Sequence, residues 1–152
     1  MKVFNTMTRQ KEELVPINPG EFKIYACGPT VYNYIHIGNA RPICIFDVLR
    51  RYLEFLGNKV TFVQNFTDVD DKIIKRANEE GITSAEVAGK YIEEYKKDAA
   101  GLGVKEATVH PKATENMDKI IEIVESLVEK GYAYPLSDGS VYFRVRNFDE
   151  YG

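Results

Sequence analysis

The sequence predicts an α/β protein in which helices flank a parallel sheet. Three observations carry this prediction: a strand-like run from Phe22 to Ala26, a long helical pattern after it, and a second strand-like run from Lys59 to Gln64. A strand, a helix and a strand in this order form a right-handed crossover, so the two strands are parallel. The residues that follow both strands then lie at one edge of the sheet, where the ligands of open α/β sheets bind.

The helix between these strands is predicted from apolar residues at helical spacing and from Gly57, a residue type common at helix C-termini. We expect six of these apolar residues to pack the helix on the sheet: Ile45, Val48, Leu49, Tyr52, Leu53 and Leu56. After the second strand, another helix is predicted over about Val69 to Glu80, with Thr67 or Asp68 as its cap and Gly81 at its end.

A third helix and a third strand are predicted next. The capping-box spacing of Thr83 and Glu86 predicts a helix that reaches about Leu102. The segment from Thr108 to Lys112 is short and extended, which indicates a strand.

A fourth helix and a hairpin are predicted in the last part of the chain. The helix covers about Thr114 to Lys130 and is followed by Gly131. Its apolar stripe is formed by Met117, Ile120, Ile121, Val124, Leu127 and Val128. Asp138-Gly139, between Tyr132–Pro135 and Ser140–Val145, is typical of a β-hairpin turn.

The composition is that of a globular protein, and it argues against a strongly basic nucleic-acid-binding protein and against a membrane-spanning protein. Of the 152 residues, 44% are hydrophobic and 28% are charged, which is enough apolar material for a core. The net charge of -3 excludes nucleic-acid binding through overall basicity, so any contact with nucleic acid is local. Two cysteines and the lack of an apolar leader favour a cytoplasmic protein, and no apolar stretch is long enough for a membrane span.

A phosphate-binding turn is predicted where the first strand meets its helix. Cys27-Gly28-Pro29 ends the strand, and His36-Ile37-Gly38-Asn39 leads into the helix. The first N–H groups of a helix lack helical partners and carry about half a positive charge, so such a turn favours anions. A simpler role for His36, as a helix cap satisfied by the backbone, fits the same spacing.

These motifs resemble the N-terminal sequence of cysteinyl-tRNA synthetases, which are class I aminoacyl-tRNA synthetases. The resemblance is carried by the segments Cys27–Tyr32, His36–Pro42, Phe4–Glu12 and Asn65–Ile74. His36 to Asn39 is similar to the His-Ile-Gly-His motif of the class, with Asn39 where the last His usually stands. An Asn side chain can donate a hydrogen bond to a phosphate, although it cannot carry a positive charge.

The resemblance implies an incomplete Rossmann-like parallel sheet, followed by the start of a connective insertion. Residues 1–131 would form the N-terminal half of the nucleotide-binding catalytic domain, and residues 132–152 would form the β-hairpin that begins the insertion. Three strands are about half of the sheet expected for this fold, so the chain is expected to be a fragment that is incomplete for catalysis.

The implied reaction is the ATP-dependent activation of cysteine to cysteinyl-adenylate and its transfer to tRNA(Cys). His36 and Asn39 would be catalytic. ATP would be bound by Pro29, Thr30, His36, Gly38 and Asn39, with Mg²⁺ on the phosphates, and the amino acid by Cys27, Gly28 and Thr67.

Cys27 has two interpretations. On spacing alone, a lone Cys at a strand end is typical of a small buried hydrophobic residue, because zinc needs at least three protein ligands. The resemblance implies instead that Cys27 is one of four zinc ligands, the other three lying outside this chain. Such a zinc would bind the substrate thiolate and reject serine.

Other polar residues have simpler structural interpretations. Asp68, Asp70 and Asp71 could bind a metal, but the first turn of a helix favours acidic residues. Cys44 is expected in the core and His110 in a structural role. The basic residues of the second helix fit a solvated face better than a tRNA contact; they are Lys72, Lys75 and Arg76.

Three alternative functions stay open at this point. A cysteine ligase with an amino-sugar acceptor would share the same N-terminal half. A non-catalytic binding module derived from a synthetase would retain nucleotide recognition without turnover. A nucleotidyltransferase of the same superfamily shares the His-x-Gly-His type of turn, but the segments Cys27–Tyr32 and Thr67–Lys72 fit a synthetase better.

Overall fold

The computed structural model describes residues 1–151, which divide into two compact units with the boundary between Lys112 and Ala113. The first unit opens with an antiparallel hairpin of β1 (Lys2–Asn5) and β2 (Gln10–Glu13). Asn5 Nδ2 donates to Glu12 Oε2 across the pair at 2.9 Å, and Thr8 donates to the same carboxylate. These two hydrogen bonds lower the pKa of Glu12. The sequence analysis did not predict this hairpin.

The predicted parallel pair is present. β3 (Glu21–Ala26) is followed by α1 (Ile37–Phe55) and by β4 (Lys59–Gln64), and the two strands pair in parallel from Glu21 opposite Lys59 to Ala26 opposite Gln64. The predicted α/β class and the strand–helix–strand order are therefore confirmed. Both strands end at the same edge, so the loops that follow them start side by side.

Our prediction of which face of α1 is buried is largely wrong. Leu53 is buried as predicted, together with Ile43 and Asp47. Four of the six predicted residues are between 45% and 67% exposed: Ile45, Val48, Tyr52 and Leu56. The prediction failed because α1 is apolar on more than one side, so helical spacing alone does not identify the side that the sheet covers.

A buried carboxylate on α1 holds the segment after the third helix. Asp47 Oδ2 accepts a hydrogen bond from Arg51 Nε at 2.6 Å, and its Oδ1 accepts one from the backbone N–H of Lys105 at 3.1 Å. Arg51 also donates to the carbonyl of Gly103 at 2.8 Å. Burial of Asp47 is tolerated because both of its oxygens are paired.

The next two helices pack on each other. α2 (Asp71–Glu80) begins at Asp70, whose Oδ1 accepts from Lys72 N–H at 2.9 Å, so the predicted cap at Thr67 or Asp68 was wrong. Thr67 is instead engaged in an isolated parallel bridge with Thr30. Gly81 ends α2 with a φ of 69°, as expected.

The capping box of α3 (Ser84–Gly101) is confirmed. Thr83 Oγ1 accepts from Glu86 N–H, and the Glu86 side chain accepts from Thr83 N–H at 2.8 Å. The buried sides of α2 and α3 meet residues of α1, the loop before α1 and the loop after β4 in one hydrophobic cluster: Val31, Ile43, Phe66, Ile73, Ala77, Val87, Ala88, Tyr91, Ile92, Tyr95 and Ala99.

The predicted third strand is present only as isolated bridges. Val109 and Lys112 pair in parallel with Val63 and Phe66, but the segment between them makes no continuous ladder. Pro111 interrupts the pairing because it has no N–H to donate. His110 has the structural role that was predicted, since its ring stacks on Phe66 at 4.7 Å between centroids.

The second unit contains the predicted fourth helix and hairpin. A 3₁₀ turn (Thr114–Asn116) precedes α4 (Met117–Glu129), and β5 (Ala133–Pro135) pairs antiparallel with β6 (Val141–Phe143). The hairpin turn contains Gly139 at a φ of 88°. The boundary between the units precedes α4, whereas the predicted domain boundary follows residue 131, so that domain assignment stays a prediction. Within residues 1–151, no helix is long and apolar enough to cross a membrane.

We predict that Asp47→Ala lowers the free energy of unfolding by about 2 kcal/mol, because it removes the shared acceptor of Arg51 and Lys105 inside the protein. Urea denaturation measures this change. As a control, Glu79→Ala removes only an exposed ion pair with Lys75 at 3.9 Å and should change the stability by less than about 0.5 kcal/mol. Equal losses for both variants would contradict the role given to Asp47.

Candidate functional site

The loops that follow β3 and β4 are joined by backbone hydrogen bonds. Thr30 and Thr67 form a parallel bridge, in which the Val31 N–H donates to the Thr67 carbonyl at 3.1 Å and the Thr67 N–H donates to the Pro29 carbonyl at 3.2 Å. Val31 and Phe66, one from each loop, are both buried in the hydrophobic cluster, so the cluster anchors both loops. The structure therefore brings together Pro29, Thr30 and Thr67, three of the predicted site residues.

Gly28 lets the two loops come this close. Its N–H donates to Asn65 Oδ1 at 2.9 Å, and a Cβ atom at this position would lie 1.7 Å from the Asn65 carbonyl oxygen. Every residue other than glycine would thus collide with the backbone of the neighbouring loop. Asn65 Nδ2 also approaches Thr67 Oγ1 at 3.4 Å. We call the group formed by residues 28–31, Asn65 and Thr67 the strand-end junction.

Cys27 lies directly before the strand-end junction, with an exposed thiol. Its Sγ is 3.7 Å from the Gly28 carbonyl oxygen. The side chain is therefore accessible and is not that of a buried hydrophobic residue, while its role as a ligand stays a prediction. Cys44 is half-buried against the core, as predicted.

His36 is the cap of α1. Its backbone is extended, with φ −117° and ψ 176°, and its Nδ1 accepts a hydrogen bond from the Gly38 N–H at 3.0 Å. An accepting Nδ1 carries no proton, so the proton of the neutral ring is on Nε2. The ring as a whole is exposed. The two interpretations of His36 are compatible, because one nitrogen caps the helix and the other remains available as a donor.

Gly38 and Asn39 complete this cap. A Cβ atom on Gly38 would lie 2.6 Å from Cε1 of the His36 ring, so the imidazole can fold over position 38 only if that residue is glycine. Asn39 Oδ1 accepts from the His36 backbone N–H at 3.2 Å. We call His36, Gly38 and Asn39 the His36 cap. The structure assigns Asn39 a positioning contact that the sequence analysis missed; its capping-box spacing from His36 was the available signal.

Two aromatic contacts support the loop that leads to the His36 cap. Tyr34 packs edge-on against the buried ring of Tyr91 in α3, at 5.4 Å between centroids. The Tyr91 hydroxyl accepts from Arg76 of α2 at 3.0 Å, and Lys72 lies 5.3 Å from the centre of the Tyr32 ring. Arg76 and Lys72 thus contact side chains of the first unit. The interpretation of these basic residues as a solvated face rather than a tRNA contact stays a prediction. The supporting tyrosines were missed, because no local motif marks them.

The acidic residues at the start of α2 do not form a metal site with one another. Asp70 caps the helix and Asp71 lies in its first turn, as the helix interpretation requires. Throughout residues 1–151, no three His, Cys, Asp or Glu side chains are grouped closely enough to bind a metal ion. Of the described residues, Cys27 is thus the candidate that resemblance offers for zinc, and it would need ligands from elsewhere.

Comparison with known families identifies the architecture around this site. The family model for the catalytic domain of class I (C) tRNA synthetases matches residues 13–152. The chain belongs to the cysteinyl-tRNA synthetase family. The motifs that suggested this family in the sequence are the ones that build the strand-end junction and the His36 cap.

Named relatives agree with this assignment. Over all 152 residues the chain is 63% identical to the cysteine–tRNA ligase of Clostridioides difficile (strain 630) and 61% identical to that of Carboxydothermus hydrogenoformans. The corresponding enzyme of Lachnoclostridium phytofermentans is 57% identical. The chain spans 32% of the length of each of these relatives.

A solved structure supports the fold. The chain resembles the LeuRS in a crystal structure of the ternary LeuRS-tRNA-LeuAMS complex from Agrobacterium radiobacter K84 (agnB2), with a TM-score of 0.66. The match covers 79% of this chain and 16% of that chain at 20% identity. This likeness places the cysteinyl-tRNA synthetase chain in the class I synthetase fold.

We predict that Gly28→Ala destabilises the protein by about 3 kcal/mol or separates the two loops, because the added methyl group meets the Asn65 carbonyl. Thermal denaturation and the amide spectrum of residues 28–31 report the two effects. Gly89→Ala is the matched control: position 89 lies in α3 with open space around it, and alanine there should add up to about 1 kcal/mol of stability. A Gly28→Ala protein as stable as the Gly89→Ala protein would refute the steric argument.

Proposed function

We propose that this chain supplies the ATP-binding and cysteine-binding half of a cysteine–tRNA ligase. In the proposed reaction the carboxylate of cysteine attacks the α-phosphorus of ATP, cysteinyl-adenylate forms and pyrophosphate leaves; the cysteinyl group is then transferred to tRNA(Cys). The names of the three relatives support tRNA, rather than an amino sugar, as the acceptor. No enzyme nucleophile is needed, so the residues of the site act by binding and orienting the reactants.

The observation that carries the proposal is the tautomer fixed by the His36 cap. Because Nδ1 accepts from Gly38, the Nε2–H of His36 remains to donate to a phosphate oxygen at the positive end of α1. A donor fixed in advance toward developing charge contributes about 2.7 to 4 kcal/mol to transition-state binding. Asn39 holds His36 through its oxygen, and its amide group can donate to the phosphates as well.

The strand-end junction forms the other side of the proposed site. Pro29 and Thr30 would line the ATP phosphates, and Gly28 would let the substrate approach the backbone. Thr67 would bind the α-amino group of cysteine, which the exposure of part of its side chain permits. Mg²⁺ would bind the phosphates through phosphate and water oxygens.

Zinc is proposed for the same edge of the sheet. Cys27 offers one soft, exposed thiol at the end of β3, which fits one position in a zinc coordination shell. The remaining ligands would come from outside residues 1–151. When bound, zinc would select a thiolate over a hydroxyl, and the role of Cys27 would be to hold it beside the amino-acid site.

The proposed domain assignment follows from this function. Residues 1–131 would form the N-terminal half of the catalytic domain, and residues 132–152 would start the connective insertion. We further propose a cytoplasmic location, where tRNA is charged and where Cys27 and Cys44 would remain reduced thiols.

His36→Ser tests the proposed phosphate contact. Serine is a good helix cap, so this variant should keep the thermal stability of the protein while it loses the Nε2–H donor. We expect ATP to bind the His36→Ser chain at least tenfold more weakly, measured by calorimetric titration in the presence of Mg²⁺. Unchanged ATP affinity in a folded His36→Ser protein would remove His36 from the site.

Cysteine-dependent exchange of pyrophosphate into ATP separates a ligase from a non-catalytic binding module. We expect the product of the complete gene to catalyse this exchange and the His36→Ser form to lose at least a hundredfold in rate, which corresponds to roughly 2.7 kcal/mol. ATP binding without any exchange by the product of the complete gene would favour the binding module.

A further inference from the structure

A cavity of about 290 Å³ lies against β4, between α1 and α3, within the first compact unit. Its apolar walls are formed by Ile43, Phe62, Ala99 and Val104. Its lining residues are distinct from those of the strand-end junction and the His36 cap. At the packing density of protein interiors, such a volume accommodates a molecule of roughly 10 to 15 non-hydrogen atoms.

A buried amide group lines this cavity. Gln64 is the last residue of β4, and it is only 4% exposed. Its Oε1 accepts a hydrogen bond from the hydroxyl of Tyr95, which is buried as well. Burial raises the pKa of Tyr95 to about 12, so this hydroxyl remains protonated and donates to Gln64. The oxygen of the amide is therefore already engaged within the protein.

The nitrogen of the same amide is the polar group that a ligand can reach. Within residues 1–151, the Gln64 side chain is hydrogen-bonded through Oε1, and its Nε2 donates to no protein atom. Every fully occluded side-chain nitrogen or oxygen in this part of the chain has a partner, so Nε2 must be open to the cavity that Gln64 lines. A buried N–H donor without an acceptor is costly, and a ligand that supplies the acceptor removes this cost.

The rings around the cavity suit a planar ligand. Phe62, Tyr95 and His110 line it. The His110 Nδ1 donates to the Gln64 carbonyl at 2.9 Å, and burial lowers the pKa of His110, which favours the neutral ring. Aromatic rings attract one another through edge and face contacts in addition to the burial of apolar area. An aromatic ligand therefore gains more here than an aliphatic ligand of the same size.

The charges at the rim of the cavity balance one another. Each cation of the lining is ion-paired: Arg50 and Lys105 lie 3.1 Å and 2.6 Å from Glu54, and Lys96 lies 3.2 Å from Glu93. An ion that entered the cavity would lose its hydration without gaining an unpaired cation, so the rim favours an uncharged ligand. With their partners, the charged side chains here are four cations and four carboxylates: Arg50, Arg51, Lys96, Lys105, Asp47, Glu54, Glu93 and Glu106.

The walls are held in place by contacts that do not involve a ligand. The Arg50 guanidinium lies 5.9 Å from the centre of the Phe62 ring and donates to the Glu106 carbonyl at 2.6 Å. The backbone N–H of Lys105 donates to Asp47 Oδ1 on α1 at 3.1 Å. These contacts fix the segment that closes the cavity against α1, so the cavity is formed before a ligand binds.

We propose that this cavity binds a small, uncharged aromatic compound with a carbonyl group, a ligand separate from ATP and cysteine. The carbonyl oxygen would accept a hydrogen bond from Gln64 Nε2, and the ring would lie between Phe62 and Ala99. The amide selects the carbonyl over a hydrocarbon of the same shape, and the balanced rim selects the neutral compound over a charged one.

The lactam 2-quinolinone is a suitable probe, since it is planar, fits the cavity and fluoresces, and the chain contains no tryptophan whose emission would overlap. We expect saturable binding of one molecule per chain. Naphthalene keeps the shape and lacks the carbonyl, so it should bind roughly fivefold more weakly, and the anion 2-naphthoate and the cation 1-naphthylmethylammonium more weakly still. Non-saturable binding, or any of these three compounds bound as tightly as 2-quinolinone, would overturn the proposal.

A double variant tests the role of Gln64. Gln64→Met removes the N–H donor with little change in side-chain length, and Tyr95→Phe removes the hydroxyl that would otherwise lose its acceptor. The double variant should still bind naphthalene but should lose the preference for 2-quinolinone, whereas Tyr95→Phe alone keeps Nε2 and should keep the preference. A folded double variant that retains the wild-type preference would refute the role of Gln64.

Three further variants locate the site. Ala99→Phe fills the cavity and should weaken 2-quinolinone binding roughly tenfold, whereas Ala85→Phe, at an exposed position in the first turn of the same helix, should leave it unchanged. Lys96→Gln removes a lining cation and should also leave it unchanged, because the ligand carries no charge. If Ala99→Phe or the double variant does not fold, the comparison of the four compounds on the wild-type chain and on Lys96→Gln decides. Wild-type affinity in a folded Ala99→Phe protein, or weakened binding in Lys96→Gln, would contradict the assignment.

Discussion

The hydrogen bond from the Gly38 N–H to His36 Nδ1 is the interaction on which the candidate site depends. It starts α1 at a defined residue, and it determines which ring nitrogen carries the proton. Gly38 is required because the imidazole lies where its side chain would be. A His-x-Gly motif at the start of a helix therefore has two effects. It caps the helix, and it leaves an N–H donor of the ring exposed at the positive end of the helix.

The strand-end junction gives this cap a fixed place in the fold. Gly28 allows the loop after β3 to touch the loop after β4, and the bridge between Thr30 and Thr67 extends the parallel pairing beyond the strands. Tyr34, packed on Tyr91, connects the loop to α3.

Much of this architecture could be predicted from local sequence. Helix ends could be predicted where one or two local residues determine them, as with Gly81 or the capping box of Thr83 and Glu86. The family could be predicted because its motifs contain Gly28 and Gly38, the glycines that the close contacts at the site require. The buried face of α1 could not be predicted, because it includes Asp47, a residue whose burial depends on a distant backbone N–H. The same holds for β1 and β2, whose polar strands are stabilised by cross-strand pairing rather than by an apolar pattern.

The nitrogen NMR spectrum of the two imidazole rings tests the central claim most directly, and it carries an internal control. At a pH where both rings are neutral, His36 is expected to show a protonated Nε2 and an accepting Nδ1, whereas His110, whose Nδ1 donates to the Gln64 carbonyl, shows the opposite tautomer. The two signals can be assigned with one histidine variant, because the chain contains only two histidines. A proton on Nδ1 of His36 would mean that the ring does not cap α1, and the account of the phosphate site would be wrong.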